Sequence, residues 1–174
     1  MATIARIAAL AAGLAGAIAV VGASGCVSAE ADVSGTAGGV AWSATTSVYF
    51  GARYVVISQL ELGCDGVDFV ARNYDEGVAP TDRDTQLLQF AFSSDEVEKG
   101  KFAVDVGGEV QSSIVEIHDG NFTESLANGG TFTVKEIVAE TTVTGTFDAI
   151  TFDGEAPGTV TGTFTAAWCR NLKP

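Results

Sequence analysis

From Thr159 to Trp168 the chain reads TVTGTFTAAW, and two kinds of position alternate through it. Val160, Gly162, Phe164, Ala166 and Trp168 fall on one side, and Thr159, Thr161, Thr163 and Thr165 on the other. A helix would scatter these residues around its axis, whereas extended backbone points successive side chains to opposite faces. The segment therefore reads as a strand with one face in a core and the other in water. Threonine suits the wet face because its branched carbon favours extended backbone. The same period runs through Tyr54, Val56, Leu60 and Leu62, through Leu88, Phe90 and Phe92, and through Phe102, Val104 and Val106.

Turn signals separate these runs at Asp119-Gly120-Asn121, Asn128-Gly129-Gly130, Asp153-Gly154 and Pro157-Gly158. Glycine and asparagine accept the positive φ that tight hairpins need. The pattern predicts an all-β fold, an antiparallel β-sandwich of about eight or nine strands, with a β-barrel as the alternative. Residues 65–84, rich in acids and holding Pro80, read as a long loop with one helical turn at most. The tripeptide Gly-Thr-Phe occurs at Gly130, Gly145 and Gly162. The intervals are too short for common repeat units. Each glycine is expected to relieve crowding where Phe132, Phe147 or Phe164 packs, or to mark a strand bend.

The N-terminal segment is different. Residues 1–25 carry Arg6, then an uncharged run of alanine, glycine and larger apolar residues, then small residues. That order, positive then apolar then small, is the pattern of an export signal, predicted to be helical. The run is short for spanning about 30 Å of hydrocarbon. At its end, Ala23-Ser24-Gly25-Cys26 resembles the lipobox of bacterial lipoprotein signal peptides. The resemblance implies cleavage before Cys26 and acylation of its thiol. Cleavage without lipid after Val27-Ser28-Ala29 is the other outcome. One acyl chain holds a protein only reversibly, while two or three hold it durably. The domains expected are thus a signal peptide over 1–25, an anchored tether over 26–39 and one all-β domain over 40–174.

Three cysteines are present. With Cys26 used for lipid, Cys64 and Cys169 are the remaining pair, and in an oxidising compartment they are expected to form a disulfide. The closing run GTVTGTFTAAWC, with GTFDAITF before it, is similar to the C-terminus of small all-β lipoproteins of Gram-negative bacteria. This second resemblance covers the last forty or so residues and implies fold and location, not an activity.

The formal charge is −13, with 9 basic against 22 acidic residues. No basic cluster offsets it, so nucleic acid is excluded as a partner. Among the acids, Asp65, Asp68, Asp75, Glu76, Asp82 and Asp84 lack the spacing of a calcium loop and read as a solvated acidic stretch. The one histidine, His118, precedes Asp119 at a turn. No Gly-x-Ser-x-Gly elbow stands in the mature chain for it to serve. Asn121-Phe122-Thr123 matches a glycosylation sequon by composition alone. Trp42, Tyr49, Tyr54, Tyr74 and Trp168 could stack on a sugar if exposed together, but Trp168 lies in phase with the apolar face of its strand.

The expectation is a non-catalytic cell-envelope lipoprotein, a structural or binding module on a lipid anchor at Cys26. No catalytic residue, metal or cofactor is assigned. The membrane is the partner expected through Cys26, the outer membrane by analogy with sorting signals because Val27 follows it, and a protein or ligand partner is left open. The alternative is a small-ligand carrier of the calycin type with a hollow barrel interior. The large residues Phe90, Phe92, Phe102, Phe132, Phe147, Phe164 and Trp168 argue for a filled core instead.

Overall fold

The computed structural model describes residues 30–42, 47–60, 64, 84–119 and 121–170. Cys26, Tyr74 and the acids from Asp65 to Asp82 lie outside them. The described chain is all-β. Its strands are β1 (Ala31–Ala37), β2 (Val40–Trp42), β3 (Ser47–Gly51), β4 (Tyr54–Ser58), β5 (Thr85–Phe92), β6 (Gly100–Ala103), β7 (Val110–His118), β8 (Asn121–Val138), β9 (Thr142–Phe152) and β10 (Gly158–Trp168). Among the described residues, no helix is long and apolar enough to cross a membrane.

Neighbouring strands pair in the order β10-β3-β4-β5-β7-β8-β9, and β9 pairs again with β10, so the hydrogen-bonded neighbours close on themselves. All of these contacts are antiparallel except β10 with β3, which is parallel. That exception corrects the expectation of a purely antiparallel sheet. It arises because β10 meets β3 only through Ala167↔Tyr49 and Trp168↔Phe50, and gives the rest of the same edge to β1. A hydrogen bond from Cys169 N to Phe50 O (2.8 Å) extends the short seam. Cys64 and Cys169 are joined by a disulfide with Cα atoms 5.5 Å apart, so the covalent link sits at the end of that seam.

Two further points differ from the sequence reading. The stretch read as a tether that at most ends in a first strand supplies, over residues 31–39, β1 and a turn, with β1 paired along β10 from Ala31↔Phe164 to Ala37↔Gly158. The alternation Ala31, Val33 and Ala37 is buried against the core, which the small and polar composition concealed. Asn128-Gly129-Gly130 is not a turn either. β8 runs through it, with register shifts against β9 between Ala127 and Thr131 and φ of 126° at Gly130. Before the irregularity β8 pairs with β7; after it, with β9 and β6. Glycine lets a strand bend without ending, and bulges concentrate where a sheet turns a corner.

The alternation in β10 holds in space. Val160, Phe164 and Ala166 are buried, and Thr159, Thr161, Thr163 and Thr165 are exposed. The core is aromatic at its centre. The rings of Phe90 and Phe132 stack at 4.1 Å, Phe132 and Phe164 at 5.3 Å, and Phe147 lies 5.4 Å from Phe90. Gly162 pairs with Phe147 and Gly145 with Phe164, so each ring lies over a glycine on the next strand. Trp168 is half-buried, packs against the core and meets Phe50 edge-on at 5.0 Å.

Candidate functional site

Along β5 the inward series reads Phe92, Phe90, Leu88 and then changes character at Gln86. Its partner β7 changes at the same level, because Leu88 faces Ile114 while Gln86 faces Glu116. The series on β4, Val55 and Ile57, is followed by Gln59. Alternation places Asp84, just before β5, and His118, the last residue of β7, in phase with Gln86 and Glu116, and there both side chains are exposed. The apolar interior thus ends in a polar rim. An open cleft of about 530 Å³ lies there, bounded by Val40, Gln59, Gln86, Glu116, His118 and Asn121.

The turn after β1 crosses this rim. Gln86 Nε2 donates to Ala37 O (3.0 Å) and also to Glu116 Oε1. The other amide atom, Gln86 Oε1, has no hydrogen-bond partner, although the residue is only 3% exposed. Thr85 Oγ1, on a residue 6% exposed and also in the lining, has none either. Buried polar groups are ordinarily paired; these are two of five buried side-chain atoms without a partner among the described residues.

At the outer lip, Asp84, His118 and Asp119 offer ligand atoms within 4.8 Å of one another. His118 Nδ1 is 2.9 Å from Asp84 Oδ2, and His118 Nε2 is 3.5 Å from Asp119 Oδ2. Asp84 Oδ1 also accepts from Asp119 N at 3.2 Å, so one carboxylate bridges the ring and the turn. The three side chains are largely solvent-exposed. Among the described residues that line the cleft, Asp84, Glu116 and Asp119 supply three carboxylates, and there is no lysine or arginine. Among the described lining residues there is also no serine or cysteine nucleophile that a histidine–aspartate pair could activate.

A second, shallower cleft of about 380 Å³ lies on the threonine face, over Asp32, Asp148 and Thr161. Its polar groups answer one another. Thr161 Oγ1 donates to Asp148 Oδ1 (3.4 Å) and accepts from Ala149 N (3.0 Å). Nothing there calls for a ligand.

Sequence reasoning had Asp84 in a solvated acidic loop and His118-Asp119 in a turn. The β5–β7 register brings them together across a separation of 35 residues between Asp84 and Asp119. It passed over Gln59, Gln86 and Glu116. The available signal was Gln86, a polar residue in phase with Leu88, Phe90 and Phe92. Of the aromatics that could have stacked on a sugar, Trp42 is buried in the core and Tyr54 is half-buried with the Arg53 guanidinium 5.1 Å from its ring centre, while the side chains of Tyr49 and Tyr74 lie outside the described residues.

No family model matches the chain, and no curated protein or solved structure matches it.

Proposed function

We propose that this protein is a non-catalytic binding module of the bacterial cell envelope, held on a lipid anchor at Cys26. Its strands form a filled barrel that meets its ligand at the polar rim. The observation that carries this reading is the contrast along the strand axis. Phe90, Phe132 and Phe147 are at most 1% exposed and pack ring against ring, so a ligand entering there would have to displace them. At the other end Gln86, Glu116 and His118 face an open cleft of a size that small ligands occupy. The anchor rests on Ala23-Ser24-Gly25-Cys26 and the apolar run before it. The Cys64–Cys169 disulfide is in keeping with an oxidising compartment. The outer membrane is the location proposed, from Val27 after the anchor cysteine.

The carrier reading draws on one feature, the closure of strand neighbours into a ring, since barrels of similar strand number can enclose one small ligand. Titration with a lipophilic fluorophore separates the two readings. A filled barrel gives no saturable one-to-one uptake, and stoichiometric uptake would move the assignment to the carrier. Mass spectrometry of the envelope fraction tests the anchor. The expected product begins at an acylated Cys26, and Cys26→Ser abolishes it. An unmodified chain beginning at Glu30 would remove the lipoprotein from the proposal.

A further inference from the structure

We infer that the rim binds one divalent first-row transition-metal cation, through His118 Nε2 and the Asp119 carboxylate, with Asp84 holding the imidazole. This rests on the reading of the rim as the ligand site. In the metal-binding neutral form, the tautomer with hydrogen on Nδ1 is the one that Asp84 Oδ2, 2.9 Å away, can accept from. In that tautomer the lone pair of Nε2 faces Asp119 Oδ2 at 3.5 Å, longer than a good hydrogen bond. That separation fits a chelate. Two ligands each about 2.0–2.2 Å from a zinc-like ion, at a tetrahedral angle, lie about 3.4 Å apart. A carboxylate on the far nitrogen is the usual device for orienting a metal-bound histidine. One imidazole nitrogen beside carboxylate oxygen suits zinc, copper or nickel better than calcium. Waters complete the coordination shell, because two protein ligands do not close it.

The orphaned atoms supply the independent observation. Gln86 spends both amide hydrogens on Ala37 O and Glu116, and its Oε1 is left an acceptor with no donor. Gln86 stands two residues after Asp84, in the lining of the same cleft. Among its described lining residues the cleft has three carboxylates and no lysine or arginine to answer them. A hydrated cation brings the missing donors, since its coordinated waters have strongly acidic hydrogens. An anionic ligand would bring only more acceptors.

The test uses the untagged full-length chain in detergent, stripped with a chelator. His118 is the one histidine, so copper bound there shows coupling to a single imidazole nitrogen in the electron paramagnetic resonance spectrum. The expected result is one ion per chain by calorimetry with zinc and one coupled nitrogen with copper. His118→Ala removes the nitrogen signal and weakens zinc at least tenfold. Asp84→Asn keeps the nitrogen signal and weakens binding about 10–100-fold. These side chains are exposed, and thermal melting of each variant checks that it folds. Binding unchanged in His118→Ala, or no saturable binding at all, overturns the metal site. Saturable spermidine binding that is lost in Glu116→Gln, with no metal bound, would overturn the metal while leaving the rim as the ligand site.

Discussion

Adding one methyl group at Gly162 probes how tightly the core is closed. Glycine inside a strand ordinarily destabilises it by about 0.5–1 kcal/mol relative to alanine, so Gly→Ala should help on backbone grounds alone. Here a Cβ would meet Phe147 Cζ at 2.6 Å and would also press on the Asp32 carbonyl of β1. The ring cannot swing away freely, because Phe147 is 1% exposed and lies against Phe90. The carbonyl belongs to the β1–β10 ladder, in which Asp32 pairs with Thr163. Overpacking of this kind costs about 1–3 kcal/mol. Subtracting the backbone gain leaves Gly162→Ala less stable by about 1–2 kcal/mol, a fall in Tm of roughly 3–8 °C. Thermal and urea unfolding followed by circular dichroism measures this. Gly108→Ala is the control, since its Cβ would lie at ordinary contact, 3.4 Å from Asp105, and it should change stability by less than about 0.5 kcal/mol. In Gly162→Ala/Phe147→Leu the shorter side chain should recover part of the loss, as a coupling in a double-mutant cycle. If Gly162→Ala melts at or above the parent, the aromatic-over-glycine packing is wrong.

Reducing the Cys64–Cys169 bond, which closes a loop of 105 residues, should lower stability by about 4–5 kcal/mol on the chain-entropy model; equal melting temperatures with and without reductant would count against it. Hydrogen exchange at the Cys169 amide, bonded to Phe50 O, should rise in the reduced chain before exchange elsewhere in β10. Phe132→Ala removes a fully buried ring with Phe90, Phe92 and Phe164 around it and should cost about 3–5 kcal/mol in chemical denaturation. Ser112→Ala should leave stability level or raise it by up to about 1 kcal/mol, because its buried Oγ has no partner to lose; a loss beyond 1 kcal/mol would mean the hydroxyl is bonded.

What could be read from the chain was whatever depends on near neighbours. The alternation Val160–Trp168 fixed a face because side-chain direction repeats every two residues. The glycines of Gly-Thr-Phe could be tied to the phenylalanines because both lie on one strand pattern, although the contacts cross: Gly162 serves Phe147 and Gly145 serves Phe164. The disulfide followed from counting cysteines. What escaped depends on register between distant segments. The local signal at Asn128-Gly129-Gly130 is the same for a hairpin and for a bent strand, and only pairing with β7 on one side and β9 on the other decides it. The rim was hidden for the same reason. Gln86 and Glu116 look like surface residues until Ala37 is laid across them.

The last strand has a consequence for how the molecule comes into being. β10 gives one edge to β9 and divides the other between β1 and β3, so the earliest and latest strands depend on one another. A chain emerging from a ribosome or a pore with its N-terminus first presents β1 and β3 long before their partner exists; even the contact from Ser34 to Thr161 O spans 127 residues. Such non-local pairing makes folding slow, and the waiting edges can pair with other chains. Productive folding should therefore begin only after synthesis is nearly complete, with the nascent chain relying on a holding chaperone until then. Deleting β10 would do more than trim one strand. It would strip pairing from three strands at once and leave a chain prone to aggregate rather than a smaller folded domain.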